Sequence, residues 1–345
     1  MAADYTIENS SKAKLQVTPE GAAAYLANPY ILSVHWGLYA LQGRGEWVYW
    51  NERIPLDVYR RRLSQFNPVR FNAEEWADLL VESGLRGLLI TTKHHDGFCM
   101  WDTQLTDWNI TRSVFKRDII GELAQALHDR GLKLHFYYSL LDWTAPSYRN
   151  DWPAYVAYYQ GHLRELLTHY GKIDGVIFDG YWPRAKFEGE WAEAFAARGK
   201  WDLAGTYDLI HSLQPQAMVC NNSHVPPQPG EDYQVWELDF PGENTTGFNT
   251  TEIGAMPKAV WWNLNSGWAY NPGIHNVKSP ETILQAMAKA RSTNSVFYLN
   301  VGPRPWGDIH PEEQQALRAI GKYVREYRML DNRAPAAAPQ AAPKT

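Results

Sequence analysis

The chain has 345 residues, 45% hydrophobic and 21% charged, which is enough for one large globular core. A net charge of −5 without a basic block lacks the electrostatic footprint of a nucleic-acid binder, and no apolar run approaches the roughly 18 residues that a membrane span needs. Cys99 and Cys220 lie far apart, which argues against a disulfide framework or a zinc ribbon.

The N-terminal stretch from Met1 to Lys14 lacks the apolar core of a secretory signal. With two unpaired cysteines, this points to a cytoplasmic, bacterial setting, in which the N-x-S/T sequons at Asn9, Asn244 and Asn249 are chance matches. Residues 1–29 read as a lead-in. From there a strand-then-helix alternation begins, with candidate strands at Ile31–Trp36, Gly87–Thr92, Lys133–Ser139, Gly175–Asp179, Ala217–Asn221, Tyr233–Glu237, Val260–Asn263 and Val296–Val301. Each is a short apolar or β-branched run, as strands covered on both faces require.

Helical patterns lie between most of them, at Ala73–Ser83, Asp118–Arg130, Asp151–Tyr170, Leu203–Leu213, Pro280–Ser292 and Pro311–Tyr327. Gly131 and Gly171 stand just past two of these, and prolines open the last two. Leu238–Lys258 reads as loop rather than helix. Eight such units predict a closed parallel (β/α)8 barrel over residues 30–330, a single domain. A doubly wound sheet is the alternative, but the Gly-rich turn it often carries after its first strand is absent. The Ala/Pro-rich tail, 331–345, has no packing pattern and is expected to be disordered.

In such a barrel the functional face lies at the C-terminal ends of the strands. Those ends read His35, His94 with His95, Tyr138, Asp179, Asn221 with Asn222, Glu237, Asn263 and Asn300, all polar or ionisable. Asp179 closes the apolar run Val-Ile-Phe, so its carboxylate must be hydrogen-bonded or functional. It is either a structural cap or a reacting group. Glu237 ends Tyr-Gln-Val-Trp in the same way. Two carboxylates facing one pocket suit glycoside hydrolysis, one attacking the anomeric carbon and the other protonating the leaving oxygen. Sixteen tryptophans and twenty tyrosines suit either sugar stacking or core filling. His94 and His95 suit neutral donors to hydroxyls better than a metal site, which would need further converging ligands.

Several blocks resemble the α-L-fucosidases of glycoside hydrolase family 29. They are Val34-His35-Trp36-Gly37-Leu38-Tyr39, Gly45-Glu46-Trp47, Thr92-Lys93-His94-His95-Asp96-Gly97-Phe98, Phe136-Tyr137-Tyr138-Ser139, Phe178-Asp179-Gly180 and Leu299-Asn300-Val301-Gly302-Pro303. The resemblance spans roughly residues 30 to 328 and corresponds to a barrel-only form without a C-terminal β-sandwich. It implies a retaining exo-acting hydrolase of terminal α-L-fucosides with no cofactor and no metal. Its partner would be a fucosylated oligosaccharide or glycoside, and a homo-oligomer is open. Asp179 matches the nucleophile. His35, Glu46, Trp47, His94, His95 and Tyr138 match the sugar pocket, with Trp36, Trp101 and Trp268 packing on the sugar or behind that shell.

Two positions depart from the pattern. Ala259 stands where relatives often carry the acid/base Glu, and Leu238 stands where an Arg often follows the preceding strand. Glu237, then Glu243, are the candidate replacements for the acid/base. An engineered Glu→Ala change, a fucose-binding protein with a degenerate acid/base site, and a retaining hydrolase of a stereochemically related glycoside are the alternatives.

Overall fold

The computed structural model describes residues 13–14, 16–181 and 201–327. Eight parallel strands form the centre: β1 Tyr30–Val34, β2 Gly87–Lys93, β3 Lys133–Ser139, β4 Gly175–Asp179, β5 Met218–Asn221, β6 Gln234–Glu237, β7 Lys258–Asn263 and β8 Ser295–Val301. Their order, β5-β4-β3-β2-β1-β8-β7-β6, rolls the sheet into a nearly closed barrel. All eight expected strands are present, displaced at most two residues at an end. The tail 331–345 lies outside the described residues.

The remaining seam, between β5 and β6, is stitched largely by one side chain. Asp232 Oδ2 accepts from Val219 N at 2.8 Å and pairs with His211 Nε2 at 2.8 Å, while Asp232 N donates to Val219 O at 2.7 Å. A carboxylate here does the work of a strand partner.

Helices surround the barrel: α1 Pro19–Ala27, α2 Ala73–Glu82, α3 Ile119–Asp129, α4 Trp152–His169, α5 Leu203–Leu213, α6 Pro280–Ser292 and α7 Pro311–Glu326. Each starts at a side chain that accepts from its own first turn: Thr18, Asn72, Asp118, Asp151, Asp202, Ser279 and His310. Such caps contribute about 1 kcal/mol each. Helix α1 falls in the stretch read only as a lead-in. Its Tyr25 packs against Tyr233 and His135 inside the barrel floor, so burial rather than periodicity holds it.

Two apolar layers follow from the period of two along each strand. Ile31, Leu89, Tyr137, Ile177, Cys220, Val235, Ala259, Trp261, Val296 and Tyr298 fill the barrel interior. Leu32, Ile90, Phe136, Tyr138, Phe178, Val219, Val260 and Leu299 face the helices. Cys99 and Cys220 are both buried free thiols. No helix among the described residues is long and apolar enough to cross a membrane.

Candidate active site

At the C-terminal mouth of the barrel lies a cavity of about 390 Å³ lined by His35, Glu46, Trp47, His94, His95, Asp179, Asn222, His224, Glu237, Phe248, Trp261 and Trp268. Asp179 is the last residue of β4, two positions beyond the interior residue Ile177, so the pleat turns it inward. Glu237 ends β6 two positions beyond Val235 by the same rule. Asn222 Nδ2 lies 2.7 Å from Glu237 Oε2 and 3.5 Å from Asp179 Oδ1. One amide therefore bridges both carboxyl groups, which keeps their facing oxygens within roughly 6 Å. Retaining glycosidases use about 5–5.5 Å between carboxyl groups, and inverting ones about 6.5–9.5 Å.

The two groups sit at different protonation states. Burial raises Asp179 to about 6, held down by hydrogen bonds from the Tyr137 hydroxyl, Gly180 N and Asn222. Burial also raises Glu237, and the nearby Asp179 charge pushes it further, to about 8. At neutral pH the first is ionised and the second carries a proton, the split that separates nucleophile from acid. Glu46, also raised by burial, is held by Ala269 N at 3.3 Å.

Hydrogen-bond chains set the histidine tautomers. Trp261 Nε1 donates to Ser33 Oγ at 2.9 Å, and Ser33 Oγ donates to Asn300 Oδ1 at 3.1 Å. Asn300 Nδ2 donates to Trp268 O at 2.7 Å, so its Oδ1 must accept from His35 Nδ1 at 2.8 Å. His35 thus presents a bare Nε2. Ser139 Oγ donates to Leu141 O at 2.7 Å, so it accepts from His95 Nδ1 at 2.6 Å, and His95 Nε2 turns to within 3.7 Å of Asp179 Oδ2. Burial lowers His35 to about 4 and takes His94 and His95 well below the usual histidine range. The cavity therefore offers neutral imidazoles, and the unprotonated Nε2 of His35 can accept a hydroxyl proton.

The His94-His95 pair reaches the cavity because β2 carries a register shift between Thr91 and Lys93. Lys93 Nζ and Asp142 Oδ2, both fully buried, pair at 3.2 Å behind it. Asp142 also accepts from Thr144 N and Ala145 N. Gly97 has a φ of 72°, and an added Cβ would lie 2.4 Å from Asp142 Oδ1. Gly180, at φ 75°, would meet Leu141 Cβ at 2.6 Å. Gly97 and Gly180 are thus required by close packing as well as by backbone conformation.

Six of the nine residues expected in the pocket or the shell behind it line the cavity: His35, Glu46, Trp47, His94, His95 and Trp268. Three do not. Tyr138 faces the helix layer, its hydroxyl bonded to His162 Nδ1 at 2.9 Å, with Lys93 Nζ 4.8 Å from its ring centroid. Its neighbour Tyr137 points inward, because adjacent strand residues take opposite faces. Trp36 is fully buried outside the barrel wall, stacked on Phe71 at 5.7 Å. Trp101 likewise lies behind the cavity, donating to Glu165 Oε2 at 3.1 Å. Glu243 turns outward to Lys289 Nζ at 2.6 Å and does not line the cavity. Ala259 packs in the apolar barrel interior, two residues below Trp261; a carboxylate there would sit in packed hydrocarbon.

Sequence reasoning had not assigned Tyr137, His224, Phe248 or Trp261 to the site. Counting by twos from Asp179 across the paired strands would have chosen Tyr137 over Tyr138. His275, His310 and Glu312 could share an ion, but they lie away from this cavity. There Asn265 Nδ2, 2.6 Å from His275 Nδ1, leaves that ring's other nitrogen to donate to Glu312 at 3.0 Å.

A barrel mouth that brings two carboxyl groups together among histidines and indoles has the elements that glycoside hydrolysis requires. Residues 31–328 match the alpha-L-fucosidase family, and the chain belongs to it. Alpha-L-fucosidase 1 of Arabidopsis thaliana is 34% identical over 75% of this chain and 52% of its own length. Among solved structures, alpha-L-fucosidase isoenzyme 1 from Paenibacillus thiaminolyticus superposes with a TM-score of 0.75 at 30% identity, covering 89% of this chain and 76% of that one. A GH29 alpha-L-fucosidase from Bacteroides thetaiotaomicron, trapped as a covalent intermediate, gives a TM-score of 0.77 at 25% identity over 92% of this chain and 77% of that one. The chain spans about half to two thirds of the length of the curated relatives it matches.

Proposed function

We propose that this chain is a retaining exo-α-L-fucosidase acting on terminal α-L-fucose by double displacement. The observation that carries this reading is the Asn222-bridged pair, with Asp179 ionised and Glu237 protonated near neutral pH. Glu237 donates its proton to the glycosidic oxygen while Asp179 attacks the anomeric carbon, forming a fucosyl ester and releasing the aglycone. Glu237, now a carboxylate, takes a proton from water, whose oxygen displaces Asp179 and restores the α configuration. A trapped covalent intermediate in the Bacteroides relative supports the same chemistry here.

His35, Glu46, His94 and His95 hold the sugar hydroxyls, and Trp47, Trp261 and Trp268 supply apolar faces for the ring and its methyl group. The presence of Glu237 in the cavity, and the packed surroundings of Ala259, support Glu237 as the acid/base.

Hydrolysis of an aryl α-L-fucoside followed by NMR tests the reading. α-Fucose is expected as the first product. Asp179→Ala is expected to lose about 10⁴-fold or more in kcat. Release of β-fucose, or a fully active Asp179→Ala variant, would overturn it. A panel of aryl glycosides separates fucose from sugars that share its ring stereochemistry.

A further inference from the structure

Phe248 stands apart from every other Phe, Tyr and Trp of the described residues. It is 42% exposed, whereas the rest are buried or half-buried. It nevertheless lines the cavity, on the side of Glu237. Its ring packs on His224 at 4.7 Å between centroids, and His224 Nε2 lies 3.9 Å from Glu237 Oε2.

The loop beneath Phe248 is built rather than loose. The Asp239 carboxylate accepts from Thr245 N at 3.1 Å, Thr246 N at 3.3 Å, Thr246 Oγ1 at 2.9 Å, Asn249 Nδ2 at 2.8 Å and the Thr245 hydroxyl. Asn249 Nδ2 also donates to Glu237 O at 2.8 Å, and Asn249 Oδ1 accepts from Glu237 N at 3.3 Å. The loop that carries Phe248 is thus hydrogen-bonded to the backbone of Glu237. His224, at φ 59°, and Leu238, at φ 58°, hold left-handed conformations on either side; such non-glycine strain persists where the surroundings impose it.

A phenyl ring that is both exposed and part of the cavity lining, held on a hydrogen-bonded loop, presents an apolar face to whatever enters beside Glu237. Chemistry identifies the occupant. The oxygen that receives the proton of Glu237 belongs to the leaving group, so that group must occupy the space next to Glu237, which is where Phe248 stands.

We propose that Phe248, backed by His224, is the stacking platform for the leaving group, receiving an aryl ring or the apolar face of a pyranose. This rests on the fucosidase reading and adds the aglycone side to it.

The test compares two substrates that share the fucosyl half. In 4-nitrophenyl α-L-fucoside the departing group is a ring; in α-L-fucosyl fluoride it is a single atom. For Phe248→Ala, the ratio of kcat/KM for the aryl fucoside to that for the fluoride is expected to fall about tenfold, and Phe248→Tyr is expected to restore it. A ratio within twofold of the parent's overturns the platform, as does an equal loss on both substrates, which would mark Phe248 as a support for the loop alone. A parent enzyme that hydrolyses neither substrate overturns the fucosidase reading and the platform with it. That result is distinct from an active parent with an unmoved ratio.

Discussion

The Tyr137 hydroxyl donates to Asp179 Oδ2 at 2.7 Å, from the barrel interior onto a carboxylate that burial pushes up to about 6. This bond favours the ionised form and opposes the desolvation that would otherwise keep the group neutral. In Tyr137→Phe the carboxyl is expected to titrate about one pH unit higher, so the acid limb of kcat/KM moves up by the same amount. A profile superimposable on the parent's would show that the phenol does not hold the charge.

The parent profile should be bell-shaped. Activity requires an ionised Asp179 and a protonated Glu237, so it rises through about pH 6 and falls through about pH 8. In Glu237→Gln the upper limb should disappear. Turnover of substrates with poor leaving groups should fall about 10²–10⁴-fold, and that of good ones much less, because they need little protonation. Equal losses across a leaving-group series would place the acid elsewhere.

Asn300 governs the tautomer of His35 through its Oδ1, itself oriented by Trp268 O and Ser33. Asn300→Leu is expected to leave the ring with mixed tautomers and to raise KM about tenfold, with a smaller change in kcat. Nitrogen-15 shifts of His35 check the cause directly. A single Nδ1–H tautomer surviving in the variant would refute the assignment.

Lys93 and Asp142 form a fully buried ion pair behind the His94-His95 segment. Lys93→Met alone strips Asp142 of its buried ion partner and is expected to cost about 3–5 kcal/mol. The double change Lys93→Met with Asp142→Leu should cost less than the sum of the two single changes. Urea unfolding of the four proteins closes the cycle, and strict additivity would show that the pair is not coupled.

Much of this was legible in the residues. Eight short apolar runs with polar ends announced the barrel and its functional face. Asp179 and Glu237 stood out because a carboxylate closing an apolar strand needs a partner or a task. The motif glycines Gly97 and Gly180 are present in the resemblance blocks, and the structure leaves no room for a Cβ at either.

Facing and proximity were not legible. Tyr137 and Tyr138 are chemically equivalent in the run Phe-Tyr-Tyr-Ser, and only the pairing of β3 with β4 decides which one meets Asp179. Glu237 and Glu243 are both acidic residues near one strand end. The fold sends one into the cavity and the other to Lys289. Composition and local pattern determine which segments become strands and which ends carry polar groups, because those depend on nearest neighbours along the chain. Which polar groups meet, and at what protonation state, is decided by burial and by contacts between residues tens to hundreds of positions apart, and these exist only once the barrel has closed.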